Sequence, residues 1–334
     1  MPSWTKLSYY AAILSGIFFF SAALYFADKM FQLSRQEVDK SVPEYRHHFV
    51  LVPEEVDNDY WRLVEQGARA AARNHGVLLE YAGPKQANVE EHLKRLEISA
   101  AASVDGVMTQ GLNENQFTPI INKLMEKGIP VVTVDTDAPG SNRIAYIGTD
   151  NYYSGFIAGK ALLAGTAGPT YVGIITGGFQ SAHQQLRVQG FKDAVAEESR
   201  IVITAVEESR ITRINAAEMA NKILTEHPET NAFFGTSALD GIGIAEAVLQ
   251  ANRALDTYII AFDSISETVD YIQRGIIQAT VIQKPYDIGY KAVETMAAIR
   301  EGKKVPELNF TETKVLYRED LHSMPEALFG GEGR

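Results

Sequence analysis

The chain contains no cysteine in 334 residues. That excludes disulfides, thiolate metal sites and Cys nucleophiles, and it removes the N-terminal Cys that a lipid anchor would need. Basic residues are in deficit, with 31 Lys and Arg against 42 Asp and Glu and a formal charge of −11. There is no clustered basic face, so no nucleic-acid partner is expected. Tryptophan is scarce, the two residues being Trp4 and Trp61. What the chain has is apolar content, 46% of residues, enough for a sizeable core divided over two lobes.

Charge is also missing from one long run. "LSYYAAILSGIFFFSAALYFA", Leu7 to Ala27, is uncharged and about as long as a helix needs to cross a bilayer's hydrocarbon core. Tyr9, Tyr10 and Tyr25 lie near its ends, where interfacial aromatics are favoured. Residues 1–27 therefore read as a single-pass membrane anchor, with the rest of the chain on the extracellular side. The competing reading is a cleaved signal peptide, with Ser21-Ala22-Ala23 as the small-residue cleavage site. Apolar character continues past that site to Ala27, which favours the anchor. Residues 28–45 are polar, with Met30, Phe31, Leu33 and Val38 loosely spaced as on a helix, and read as a juxtamembrane stalk.

From His47 onward, strand-like and helix-like segments alternate. The strand-like runs are "HHFVLV", "GVLLEYA", "VDGVMTQ", "IPVVTVD" and "AYIGTD", then "YVGIITG", "IVITAVE", "AFFGTS", "YIIAFD" and "QATVIQ". Between them lie amphipathic stretches such as Tyr60 to Asn74, Gln116 to Lys127, Ser181 to Ala196, Asn215 to Glu226, Gly241 to Gln250 and Ile265 to Arg274. Such alternation implies parallel sheets covered by helices on both faces. The series exceeds one ordinary sheet and restarts after the small-residue break Gly165 to Pro169. The fold class is therefore α/β, with two doubly wound parallel-sheet lobes.

Ligands in such sheets bind beyond the carboxyl ends of the strands. The residues there are Asn58, Tyr60, Trp61, Gln110 and Asp135 in the first half, and Ser237, Asp263 and Gln283 in the second. Each alone is most simply a helix cap or turn former; convergence from both halves asks for more. Phosphate-cradling glycines are missing, and so is a nucleophile beside a base. A sugar fits the set. Its apolar ring faces rest on aromatics, and its hydroxyls pair with carboxylates, amides and guanidinium.

The sequence resembles the type I periplasmic sugar-binding proteins, the ribose, xylose and galactose binders. The resemblance spans about Phe49 to Val315 and is carried by "NDYWRLVEQGA", "IPVVTVDTD", "YIGTDNYYSGFIAGKAL", "LRVQGFKDAV", "ILTEHPETNAFF", "IIAFDS" and "GIIQATVIQKPYDIGYKAVE". It implies two lobes joined by three crossovers near Thr149-Asp150, Gln283-Lys284 and Phe310 to Thr313. The N-terminal lobe would then be 46–149 plus 284–311, and the C-terminal lobe and tail 150–283 plus 312–334. It adds Arg187 as the arginine that bridges sugar hydroxyls, and matches Asn58, Tyr60, Trp61, Asp135, Asp263 and Gln283 to ligand positions. Thr136 stands where ribose binders have a second arginine, Ser237 where Asn or Asp is usual, and Ile211 where an aromatic is common.

The resemblance also implies reversible capture of a monosaccharide by closing lobes, without catalysis or cofactor, a pentose such as xylose or ribose being favoured. The absent Cys and the apolar run together make the chain look like membrane-anchored binders that report to a sensor histidine kinase. The alternative partner is an ABC importer permease. An enzyme that processes glycosides would need two opposed carboxylates, which Asp135 and Asp263 could formally supply, but both match binding positions. "GIGIAEA" at Gly241 lacks the third glycine of a dinucleotide loop. "DTDAPGSN" at Asp135 lacks a calcium loop's closing Glu and reads as a turn, and His47-His48 as a strand entry.

Overall fold

The uncharged run and the stalk as far as Val38 form one continuous helix, α1 (Ser3–Val38), in a computed structural model that describes residues 3–38, 45–57 and 59–323. Its window Ile13–Met30 has a mean hydropathy of 1.4. The helix is long and apolar enough to cross a bilayer, a property that a signal sequence near an N-terminus shares. Its side chains at Leu14, Phe18, Phe19, Phe20 and Phe26 are exposed. Met1–Tyr45 is one compact unit and Arg46–Arg334 another.

In the second unit, most β-rich runs pair in parallel because the helix that follows carries the chain back to the end of the sheet where the strand began, while β4 and β5 are joined by a loop. The first half runs β1 (His47–Val52), α2 (Asp59–His75), β2 (Val77–Tyr81), α3 (Val89–Ala102), β3 (Gly106–Thr109), α4 (Glu114–Glu126), β4 (Val131–Val134) and β5 (Ala145–Thr149). The second runs α5 (Asn151–Gly165), β6 (Thr170–Thr176), α6 (Ala182–Val195), β7 (Ile201–Glu208), α7 (Arg213–Glu226), β8 (Ala232–Gly235), α8 (Ala238–Gln250), β9 (Tyr258–Phe262), α9 (Ser266–Gln273) and β10 (Ala279–Ile282). Then α10 (Pro285–Arg300), β11 (Leu308–Thr311) and β12 (Lys314–Tyr317) close the fold.

One sheet has the order β11-β5-β4-β3-β1-β2 and the other β12-β10-β9-β8-β6-β7. Both are parallel except for the edge strand β12, which runs antiparallel to β10. The chain thus passes between the sheets after β5, after β10 and between β11 and β12. The inner strands β3, β4, β8 and β10 are buried along their whole length, as expected where helices cover both faces. Phe49, Leu51, Met108 and Ile147 anchor one core in the first lobe, and Phe191, Phe234 and Phe262 one in the second. Each such side chain contributes roughly 1.5–3 kcal/mol by leaving water.

Helix starts are set by local polar chemistry. Asn88, Asn113, Asp150 and Thr212 each accept a hydrogen bond from the N–H three residues on, satisfying a donor that the helix leaves unpaired. Two helix pairs approach closely through glycine. A Cβ on Gly289 would lie 1.9 Å from the Val64 carbonyl oxygen of α2, and one on Gly155 of α5 would lie 1.9 Å from that of Arg187 in α6.

The crossovers are knitted side by side. Thr149 Oγ1 donates to Gln283 Oε1 at 2.6 Å, Asn151 Nδ2 donates to the Thr149 carbonyl at 3.2 Å, and Lys284 pairs with Glu312.

Candidate functional site

The carboxyl ends of β3 and β4 put Gln110, Asp135 and Thr136 on one rim, facing the first turn of α2. Asp135 organises it. Its Oδ1 accepts from the Tyr60 hydroxyl at 2.5 Å, and its Oδ2 accepts from Gln110 Nε2 at 3.1 Å and Thr136 Oγ1 at 3.2 Å. The Glu54 N–H donates to Gln110 Oε1 at 2.6 Å, which fixes the amide with its NH₂ toward the carboxylate.

The opposite rim is built around a buried guanidinium. Arg187 Nε donates to Asn151 Oδ1 at 2.9 Å and Nη1 to the Thr236 carbonyl at 2.9 Å, while Nη2 reaches Gln283 Oε1 at 3.4 Å. Gln283 Nε2 in turn donates to Asp263 Oδ1 at 2.8 Å. The guanidinium lies over the Phe262 ring, 3.8 Å from its centroid, a stacking geometry that suits Arg better than Lys. Gln283 thereby ties Arg187, Asp263 and the Thr149 crossover into one network.

Burial dominates the electrostatics. It pushes the Asp263 carboxyl up to about 6, against the pull of Arg187 and Gln283. Burial also raises Asp135, opposed by the Tyr60 hydrogen bond and then by Arg187. The Tyr60 phenol is pushed well above its usual range by burial and by the adjacent Asp135 charge. Glu54 is raised to about 7 by burial first, then by Asp135 and Glu55. Two strand-end carboxyls therefore share the field of one guanidinium.

The structure draws Tyr60, Gln110, Asp135 and Thr136 into one cluster, and Arg187, Asp263 and Gln283 into the other. Trp61 is 4% exposed and packs in the core cluster with Phe49, Leu51 and Val64. Ser237 caps α8, accepting from the Asp240 N–H. Ile211 is 42% exposed beside Gly177. Asn58 lies outside the described residues. Asp137, in the turn after β4, is engaged by the Arg143 guanidinium, with Nη2 to Oδ2 at 2.6 Å, and His47 and His48 open β1. Among the described residues, no group of three or more acidic or histidine side chains is placed to hold a metal ion.

Sequence reasoning missed Glu54, Asn151, Thr236 and His183. His183 Nδ1 lies 3.2 Å from Thr136 Oγ1 on the other rim and 2.9 Å from Ser181 Oγ. The available signal was its spacing: it precedes Arg187 by four residues, one helical turn on the same face.

Chemically, the two rims offer carboxylate acceptors, amides that donate and accept, and a fixed guanidinium fork. Such a set recognises a neutral polyhydroxy ligand by hydrogen bonds in a desolvated space.

Comparison with known proteins agrees with that chemistry. Residues 49–304 match the periplasmic binding protein domain family. The D-allose-binding periplasmic protein of Escherichia coli K12 is 25% identical over 269 residues, spanning 77% of this chain and 86% of that protein. The crystal structure of GanP, a glucose-galactose binding protein from Geobacillus stearothermophilus, is 61% identical with a TM-score of 0.81, covering 82% of this chain and 98% of that one. The XylFII–LytSN complex contains a chain 37% identical, with a TM-score of 0.76 and coverage of 82% and 98%. The chain therefore belongs to the periplasmic binding protein family, on its type I sugar-binding branch, and is a non-enzymatic solute receptor.

Proposed function

We propose that the protein captures a monosaccharide between its two rims and reports its occupancy, through lobe closure, to a membrane sensor beside which α1 anchors it. The observation that carries the capture is the convergence of Asp135 and Asp263, from different lobes, on the field of Arg187. In this reading Gln110, Gln283, Tyr60 and Asn58 complete the hydroxyl partners. Trp61 backs the Tyr60 ring from the core side, Thr136 supports Asp135, and Ser237 offers its hydroxyl from the start of α8. The 61% identity with GanP supports an aldohexose of the glucose or galactose kind, where the sequence alone favoured a pentose.

The relative solved in complex with LytSN supports a protein partner of the sensor kind. A second reading, the binding component of an importer, is supported by the 24% identity with the ribose import binding protein of Escherichia coli K12. Titration calorimetry with galactose, glucose, xylose, ribose and allose tests the ligand. Saturable heat with galactose or glucose at micromolar levels supports the hexose reading, and heat only with ribose or xylose restores the pentose. Intact mass of the native protein tests the anchor: a chain cut after Ala23 and released removes it. A sugar-dependent transcriptional response without sugar uptake separates sensor from importer.

A further inference from the structure

Away from the crossovers, the rims touch directly where Thr136, one residue past Asp135, meets His183 on the first turn of α6. We propose that His183 and Thr136 form a latch between the lobes, a side-chain hydrogen bond that draws the cleft shut without a bridging sugar and so sets how tightly any sugar is held. The inference rests on the capture reading above and deepens it by naming residues that control affinity through closure.

The protons settle into one chain. Thr136 Oγ1 has a single hydrogen and donates it to Asp135 Oδ2 at 3.2 Å. The 3.2 Å contact with His183 is then donated by the imidazole, whose single Nδ1–H is shared between Thr136 Oγ1 and Ser181 Oγ. The series His183 to Thr136 to Asp135 ends on a carboxyl, so each bond polarises the next. Burial, and secondarily Arg187, push His183 down to about 3, so the neutral ring makes this contact throughout the physiological range. Ser181 Oγ, 2.9 Å from the same nitrogen, and Gln184 Nε2, 3.3 Å from Nε2, hold the ring in place.

The position matters as much as the bond. Thr136 stands where the resemblance to ribose binders places a second arginine reaching from the first lobe. Here a short side chain stands instead, and its hydroxyl meets His183 from the second lobe. A bond that exists only when the lobes are closed can bias closure. If sugar is retained by the closed form, its apparent dissociation constant is the intrinsic one divided by the closed fraction. Weakening the latch should therefore lower affinity by the same factor by which it lowers that fraction.

The absence of native cysteine makes the test direct. Spin labels on Lys85→Cys and Ile214→Cys, exposed sites on different lobes, report the inter-lobe distance by pulsed dipolar spectroscopy on the full chain. We expect His183→Ala and Thr136→Val each to shift the sugar-free distribution toward longer distances, and the double variant to add little to either, since both remove one bond. Thr136→Ser, which keeps the hydroxyl, should retain the parent distribution and guards against misfolding as the cause. Galactose or glucose affinity by calorimetry should fall about five- to tenfold in both single variants, in step with the closed fraction. Superimposable sugar-free distributions in parent, His183→Ala and Thr136→Val, or single effects that add fully, would overturn the latch. If none of the five sugars binds the parent while the distances still respond, the latch stands and the capture reading fails.

Discussion

Asp135 and Asp263 stand in the same left-handed backbone conformation, at φ 64° and 63°, each one residue past the end of an inner strand. The Asp135 N–H donates to the Ile147 carbonyl at 2.9 Å and the Asp263 N–H to that of Val281 at 2.8 Å. The carbonyls match too: Tyr146 OH donates to Asp135 O at 2.7 Å, and Thr280 Oγ1 to Asp263 O at 2.6 Å. The two lobes use one device. A turn past the strand end lifts a carboxyl off the sheet, and a neighbouring hydroxyl pins its carbonyl.

That device decides which substitution is informative. Asn tolerates positive φ nearly as well as Asp, while Ala does not. Asp263→Asn should keep the thermal midpoint close to the parent's and weaken sugar binding at least about tenfold, through loss of a charge-assisted hydrogen bond. Asp263→Ala should bind no better and should also melt a few degrees lower, because strain of about 1 kcal/mol is added. Calorimetry and thermal melts on both variants check this. An Ala variant that binds sugar normally would make the acid structural.

Tyr60 and Trp61 are adjacent on α2, so their side chains diverge by about 100° around the helix. The Tyr60 hydroxyl reaches Asp135 while Trp61 lies in the core, with the rings edge to face at 5.6 Å. Trp61→Ala should therefore cost about 3–5 kcal/mol of stability, a large-to-small core change, whereas Tyr60→Phe should fold like the parent and bind sugar several-fold more weakly. Denaturant unfolding and calorimetry separate the two. A Trp61→Ala protein of parental stability that had lost sugar binding would make Trp61 the ring against the sugar.

Much of the fold was legible because inner strands buried on both faces carry continuous apolar runs, as in "FVLV" and "YIIAF", and because the residues of the two rims follow strand ends. Other parts left weaker marks. α5, "NYYSGFIAGKALLAG", packs through Gly155 and Gly159 and buries small residues on a broad face, so no narrow apolar stripe marks it. β11 and β12 are four residues long and lie at sheet edges, with Leu308 half exposed; their pairing depends on partners distant in sequence. The order of Tyr60 and Trp61 leaves open which ring reaches Asp135 and which packs in the core. His183 acquires its meaning only when Thr136 arrives from the other lobe.

Glu54 should make stability depend on pH in a definite direction. Its folded value of about 7 exceeds the ordinary 4.5, burial being the main cause, with Asp135 and Glu55 adding to it. The folded state therefore keeps a proton that the unfolded chain gives up. The associated stability is present below about 4.5 and is lost as pH rises through about 7. Glu54→Gln removes this loss. Relative to the parent, the variant should gain nothing at pH 4.5 and a few degrees in thermal midpoint at pH 8. A gain that is the same at both pH values would show that Glu54 ionises freely in the folded protein.

The close contact of α5 with α6 should connect packing to the site. A Cβ on Gly155 would lie 1.9 Å from the Arg187 carbonyl oxygen, and one on Gly190 would lie 2.0 Å from that of Tyr152. Both obstacles are backbone, so no rotamer change relieves them, and the helices must separate. Arg187 would move with α6, away from Asn151 on α5 and from Thr236, with which it now makes 2.9 Å bonds. Gly155→Ala should thus cost a few kcal/mol by overpacking and also weaken sugar binding well beyond tenfold. Gly289→Ala makes an equally close clash, 1.9 Å from Val64 O, but between α2 and α10, a pair that carries Tyr60 at the start of α2 and no member of the Arg187 network. It should lower stability comparably with a smaller effect on binding. Calorimetry well below each variant's melting point distinguishes them, and equal binding losses in the two would mean that the helix pairs serve general stability alone and do not position Arg187.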